Sequence, residues 1–215
     1  MAIPKVGEYF VLEIPEHSSK DILMITSLFM RDIVVEFETL FYIQNLNVFS
    51  FKEWDSDFFE NESVRKATEN EIADFEAARS KNSEFKDLFI FTEECLQFEA
   101  NRLAKEFWDI DKYPKVALDF SEAVDGKGAC FTVAYQLIEF WSETNRQRSK
   151  DQVFDTLLHE LCHWYLYTTG QEYNDSDVRF AEELIRVGVG HTHNSNNPDA
   201  VKAFAEAVKR MCDNK

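Results

Sequence analysis

Through residues 5–52 the apolar positions follow a strand pattern, and beyond residue 92 most of them return at helical spacing. Tyr9–Ile14 reads as a strand stopped by Pro15, whose missing N–H interrupts a ladder. Residues 22–29 are β-branched and apolar. After Met30-Arg31-Asp32 a strand opens at Ile33, where Val35, Phe37 and Thr39 alternate with Glu36 and Glu38. That alternation is the mark of a half-buried strand. A further short strand, 48–51, follows the turn at Asn45-Leu46-Asn47. Four or so short strands predict a small antiparallel sheet or barrel, SH3-like or similar.

Residues 53–62 hold five acids and no base. They read as a solvated loop, or, through Trp54, Phe58 and Phe59, as an acidic-aromatic docking surface. Thr68 then caps a helix reaching about Arg79, with Glu71 completing a capping box. The polar stretch 80–84 marks a boundary, so residues 1–85 form a β-rich accessory domain with a terminal helix and residues 86–215 a second domain.

The second domain opens with a helix capped by Thr92, its buried stripe formed by Leu96, Ala100, Leu103 and Phe107. A strand at 115–120, a tight turn at Asp125-Gly126-Lys127-Gly128 and one or two strands within 129–141 predict a small sheet packed on helices. Ser149, with Gln152 three residues on, starts the next helix. Phe154, Leu157, Leu158, Leu161 and Tyr165 give it an apolar stripe, and Gly170 stops it. Asp175 or Ser176 caps a helix ending at Gly188, and Asp199 caps the last one. The fold class expected is α+β.

Composition narrows the function. At 45% hydrophobic and 29% charged residues the chain reads as soluble and globular. No apolar run approaches the roughly 20 residues of a membrane span. The N-terminus lacks a signal-peptide layout, which predicts a cytoplasmic protein. Cys95, Cys130, Cys162 and Cys212 form no C-x-x-C pair and read as reduced thiols. The net charge of −17 is spread over both halves and repels phosphate backbones, which argues against direct DNA binding. Arg146, Arg148 and Lys150 lie close enough for a local basic patch. A basic or DNA-associated protein partner suits the charge better.

The chemistry concentrates in Thr156-Leu157-Leu158-His159-Glu160-Leu161-Cys162-His163-Trp164-Tyr165, which contains His-Glu-x-x-His. On a helix His159 and His163 are one turn apart and share a face, so both imidazoles reach one metal ion. Glu160 sits beside that face, where a carboxylate takes a proton from an attacking water. A catalytic zinc usually has three protein ligands. Asp177, Glu183, His191 and His193 are all candidates for the third, and spacing does not choose among them. Glu183 falls on the exposed side of its helix in this reading.

The stretch 157–167, with Gly170, Tyr173, Asp177-Val178-Arg179-Phe180 and Val187-Gly188, resembles the SprT-like zinc metalloproteases. The resemblance covers about residues 88–190. In that family a His-Gly-x-x-Phe or Asp-x-x-Phe segment follows the active-site helix. Its first residue is the expected third ligand, which implies Asp177, and its Phe packs the following helix. Here Asp stands where the familiar form has His, and no cysteine-rich zinc ribbon follows. The N-terminal β domain lies outside the resemblance. The layout is similar to SprT-like proteins of phages and mobile elements.

The resemblance implies a zincin domain acting as a zinc-dependent peptidase on a protein substrate, with Zn2+ on His159, His163 and Asp177 and Glu160 as base. Tyr173, Arg179, His191 and His193 are candidate oxyanion donors or supports for the ligands. The rival expectation is a non-proteolytic acidic binding or inhibitor protein on the same frame, occupying a basic or nucleic-acid-binding surface of a partner.

Overall fold

The computed structural model describes residues 3–14, 19–31, 34–121, 126–146, 148–190 and 196–213. The fold is α+β, with a five-stranded antiparallel sheet, a three-stranded sheet and six α-helices among the described residues. The chain divides into two compact units. One comprises Met1–Thr92, Asp119–Gly126 and Trp141–Ser149; the other comprises Glu93–Leu118, Lys127–Phe140 and Lys150–Lys215. The first unit therefore takes in two later stretches besides the 1–85 segment.

In the first unit β1 (Tyr9–Ile14), β2 (Ser19–Arg31), β3 (Val34–Ile43), β4 (Val48–Asp55) and β5 (Val64–Lys66) pair in the order β4-β3-β2-β1-β5. Both faces of this sheet are buried. Val11, Ile22, Met24, Leu40, Tyr42 and Phe49 form one core with Phe75 and Phe85. Phe10, Leu23, Ile25, Leu28, Phe37, Phe41 and Phe59 form the other. Double burial explains why Ile22-Leu23-Met24-Ile25 and Leu28-Phe29 are apolar without alternation.

It also corrects the half-buried reading of β3. Glu38 is 1% exposed. The register of β2 and β3 shifts between Ile25 and Ser27. The bulged Thr26 donates its Oγ1 to the Glu38 carbonyl and carboxylate, at 3.1 Å each. The short α3 (Ser142–Asn145) belongs to the same unit, and Ser142 Oγ shares a 2.6 Å hydrogen bond with Ser27 Oγ. Arg146 lies 3.6 Å from Glu38 and 2.7 Å from Glu53, and its guanidinium covers Phe29. That arginine is committed within the unit and not held out as a basic patch.

The acidic stretch 53–62 is not a loop throughout. β4 runs to Asp55, whose carboxylate caps a 3-10 turn at Ser56–Glu60 by accepting from the Phe58 N–H at 3.2 Å. Phe59 packs edge-on against Phe37 at 4.7 Å. Phe58 stacks on Trp54 at 3.8 Å, and the Trp54 indole donates to Thr39 at 2.8 Å. The aromatic residues serve the core, which leaves Asp55, Asp57, Glu60 and Glu62 as an exposed acidic rim. After β5, α1 (Glu69–Arg79) carries the reciprocal Thr68/Glu71 capping box expected of it.

The second unit holds α2 (Glu93–Trp108), α4 (Lys150–Thr168), α5 (Val178–Val187) and α6 (Pro198–Asp213). Its sheet has the order β6-β8-β7, built from β6 (Lys115–Asp119), β7 (Ala129–Thr132) and β8 (Leu137–Trp141). Helix α4 packs against α2, α5 and β7. The cap of α6 differs from expectation. Asn197, not Asp199, precedes the helix, and its Oδ1 accepts from the Asp199 N–H at 3.0 Å while Pro198 fills the first helical position. No disulfide joins the four cysteines. Among the described residues no helix is long and apolar enough to cross a membrane.

Candidate metal centre

Helix α4 is nineteen residues long and is buried without a break from Thr156 to Cys162. Val153, Leu157, Leu161, Cys162 and Leu166 are each fully inaccessible, which anchors the helix on several sides. His159 is 4% exposed. One turn on, His163 brings its Nε2 to 3.1 Å from that of His159. Phe180 of α5 fixes the pair from the side. Its ring stacks on His163 at 4.0 Å and meets His159 edge-on at 5.1 Å.

The chain leaves α4 through Gly170, whose φ of 70° suits a residue without Cβ. The Gln171 N–H donates back to Leu166 at 2.8 Å and closes the helix. The following loop returns across the histidines. The Tyr173 carbonyl accepts from His163 Nδ1. That bond fixes the tautomer and leaves the Nε2 lone pair for a metal ion. Asp175 then places its Oδ1 3.2 Å from His159 Nε2 and 3.5 Å from His163 Nε2.

These three atoms form the one group among the described residues with the composition and spacing to hold a metal ion. The fit can be tested on distances. Donors bound 2.0–2.1 Å from a tetrahedral centre stand roughly 3.3 Å from one another. The three separations, 3.1, 3.2 and 3.5 Å, bracket that value. Two imidazoles and one carboxylate are also a donor set suited to zinc. Electrostatics point the same way. Burial pushes the His163 pKa down, but Asp175, the Glu160 charge and the Tyr173 carbonyl outweigh it and the net shift is upward. Burial pushes Asp175 up, yet the two imidazoles hold its carboxyl well below the usual range. A metal ion entering the site competes with a proton for these donors.

Glu160 is 7% exposed, and its Oε2 accepts from the Phe131 N–H of β7 at 2.8 Å. A strand amide thus holds one carboxylate oxygen beside the histidine pair.

Asp177, the expected third ligand, is not in the group. Its Oδ2 accepts from the Asn174 N–H at 2.7 Å and from Asn174 Nδ2 at 2.9 Å. It also occupies the N-cap position of α5, which the sequence reading assigned to Asp175 or Ser176. Asp175 and Asp177 stand two residues apart in Asp175-Ser176-Asp177, so local pattern offers both and the turn decides between them.

Glu183 is not on an exposed face. It is 1% exposed and accepts from Trp108 Nε1 at 2.7 Å, from Arg179 Nη2 at 2.7 Å and from Arg186 Nε at 2.9 Å. Burial pushes its carboxyl up, and these donors pull it below its ordinary value. It anchors α5 to α2 and stands apart from the histidine group. Arg179 is divided between Glu183 and Gln171. Tyr173 reaches the site through its backbone carbonyl, while its ring packs on Tyr167 at 5.4 Å. His191 and His193 lie outside the described residues.

Comparison of the chain with protein-family models, with curated proteins and with solved structures finds no match.

Proposed function

We propose that this chain is a zinc-dependent peptidase of the SprT-like zincin type, with His159, His163 and Asp175 holding the metal. The observation that carries the reading is the convergence of two helical imidazoles and one loop carboxylate at tetrahedral-edge spacing, with Glu160 next to the first histidine. Zinc bound by such a set polarises a carbonyl and makes water a nucleophile at neutral pH. Glu160 accepts the proton of the attacking water and delivers it to the leaving amine. Its bond to the Phe131 N–H keeps the carboxylate oriented for both transfers. The first unit is then an SH3-like accessory module that recruits a protein substrate. The protein works in the cytoplasm, where thiols such as the buried Cys162 stay reduced.

The net charge of −17 favours a second reading, an acidic binding protein that occupies a basic surface of a partner. Glu160→Gln separates the two. A peptidase with this substitution retains zinc in stoichiometric amount and loses about 10²–10⁴ of its cleavage rate on unfolded protein substrates. Cleavage at the wild-type rate overturns the peptidase mechanism. A tight complex with a basic protein, unchanged by the substitution and accompanied by no cleavage, supports the binder.

A further inference from the structure

We propose that Asp177 is a positioning residue, which holds Asp175 at the metal centre by clasping the turn that carries it. The inference rests on the metal-binding reading above. Of the three donor residues, His159 and His163 are placed by α4, whereas Asp175 stands on the loop between α4 and α5. A loop carboxylate stays within reach of an ion only if the loop is held, because ordering a free backbone on binding costs conformational entropy.

The turn is held by three bonds between its ends. Asn174 donates its backbone N–H and its Nδ2 to Asp177 Oδ2 at 2.7 and 2.9 Å, and the Asp177 N–H donates to the Asn174 carbonyl at 2.9 Å. Asp175 lies inside this closed turn. An independent feature agrees. Asp177 occupies the N-cap of α5 but makes no side-chain cap bond to the helix. It forgoes the usual stabilisation of the helix start and turns its carboxylate back onto the loop. Two further ties hold the loop upstream, Tyr173 to His163 and Gln171 to Arg179.

The role differs from ligation in a measurable way. An asparagine at 177 retains an oxygen that accepts both Asn174 bonds, whereas alanine retains none. Zinc affinity of the full chain by calorimetry, with the absorption spectrum of the Co2+-loaded protein, reads the difference. Asp177→Ala should weaken zinc on the order of tenfold, and Asp177→Asn by less than about threefold. Both should keep the wild-type cobalt spectrum, while Asp175→Ala alters it. Asn174→Ala removes one of the same bonds from the other side and should weaken zinc about threefold, which keeps the test open if Asp177→Ala does not fold. Wild-type affinity in Asp177→Ala and Asn174→Ala overturns the positioning role. So does an altered cobalt spectrum in Asp177→Asn, which would make Asp177 a ligand. A wild-type chain that binds no zinc overturns the metal reading itself, and that outcome is distinct because it precedes any variant.

Discussion

The two units bury polar side chains in different ways. In the first, Thr26, Ser27, Glu38 and Ser142 lie under the surface, and they bond to one another or to Arg146. The contacts fix a bulge and seat a returning segment. In the second, His159 is buried and His163 half-buried, and both turn their Nε2 atoms toward the same Asp175 oxygen. Burial of a polar group costs free energy unless it is partnered. The first unit offsets that cost with mutual hydrogen bonds. The second gathers nitrogen and oxygen donors at one point, an arrangement suited to an ion and of little use to a core. Glu183 shows that the second unit also contains the first kind of burial, since its carboxylate is surrounded by Trp108, Arg179 and Arg186.

The contrast makes its largest prediction for zinc. At zinc a thousandfold above its dissociation constant, the elements around α4 and α5 gain about 4 kcal/mol. Amide hydrogen exchange should slow there and stay unchanged in β2 and β3. Equal slowing in both units breaks the contrast.

A smaller effect belongs to the first unit. Glu71 takes two bonds from Arg65, at 2.9 and 2.7 Å, and completes the α1 capping box. Glu71→Ala should lower stability by about 1–2 kcal/mol at pH 7, after discounting the half-exposed Arg65 for solvent screening. Arg65 holds the Glu71 carboxyl well below its ordinary value of 4.5. The stabilisation is therefore complete above pH 4.5 and is lost as pH falls toward the depressed folded-state value. Urea unfolding from pH 7 down to pH 3 should show the gap between variant and wild type closing in acid. A constant gap would show that the loss does not come from the charge of the Glu71 carboxylate.

The smallest effect concerns Asp21, a 6% exposed acid in β2. Burial raises its carboxyl above the ordinary 3.8, against the pull of Lys52 and a backbone bond near Gln44. A raised folded-state pKa favours the native state in acid and disfavours it once pH passes through that value. Asp21→Asn should stabilise the first unit by less than about 1 kcal/mol at pH 7 and leave it unchanged well below pH 3.8. Destabilisation at pH 7 would show that the Lys52 attraction outweighs burial.

Local rules settled much of this molecule. The capping box of α1, the strand at Tyr9–Ile14, the helix carrying His159, Glu160 and His163, and its stop at Gly170 all follow from residues within a few positions of each other. Helical geometry alone puts His159 and His163 on one face. Tertiary structure decided the rest. The alternation in β3 gives no sign that Glu38 is buried, because its partner Arg146 arrives more than a hundred residues later. Helical spacing gives no sign that Glu183 is enclosed, because Trp108 encloses it from another helix. Asp175 and Asp177 are the same residue type two positions apart, and only the closed turn and its return across α4 bring one to the histidines and turn the other onto the loop. Periodicity encodes direction within one element. The meeting of side chains from different elements depends on turns and packing, which no single stretch of sequence contains.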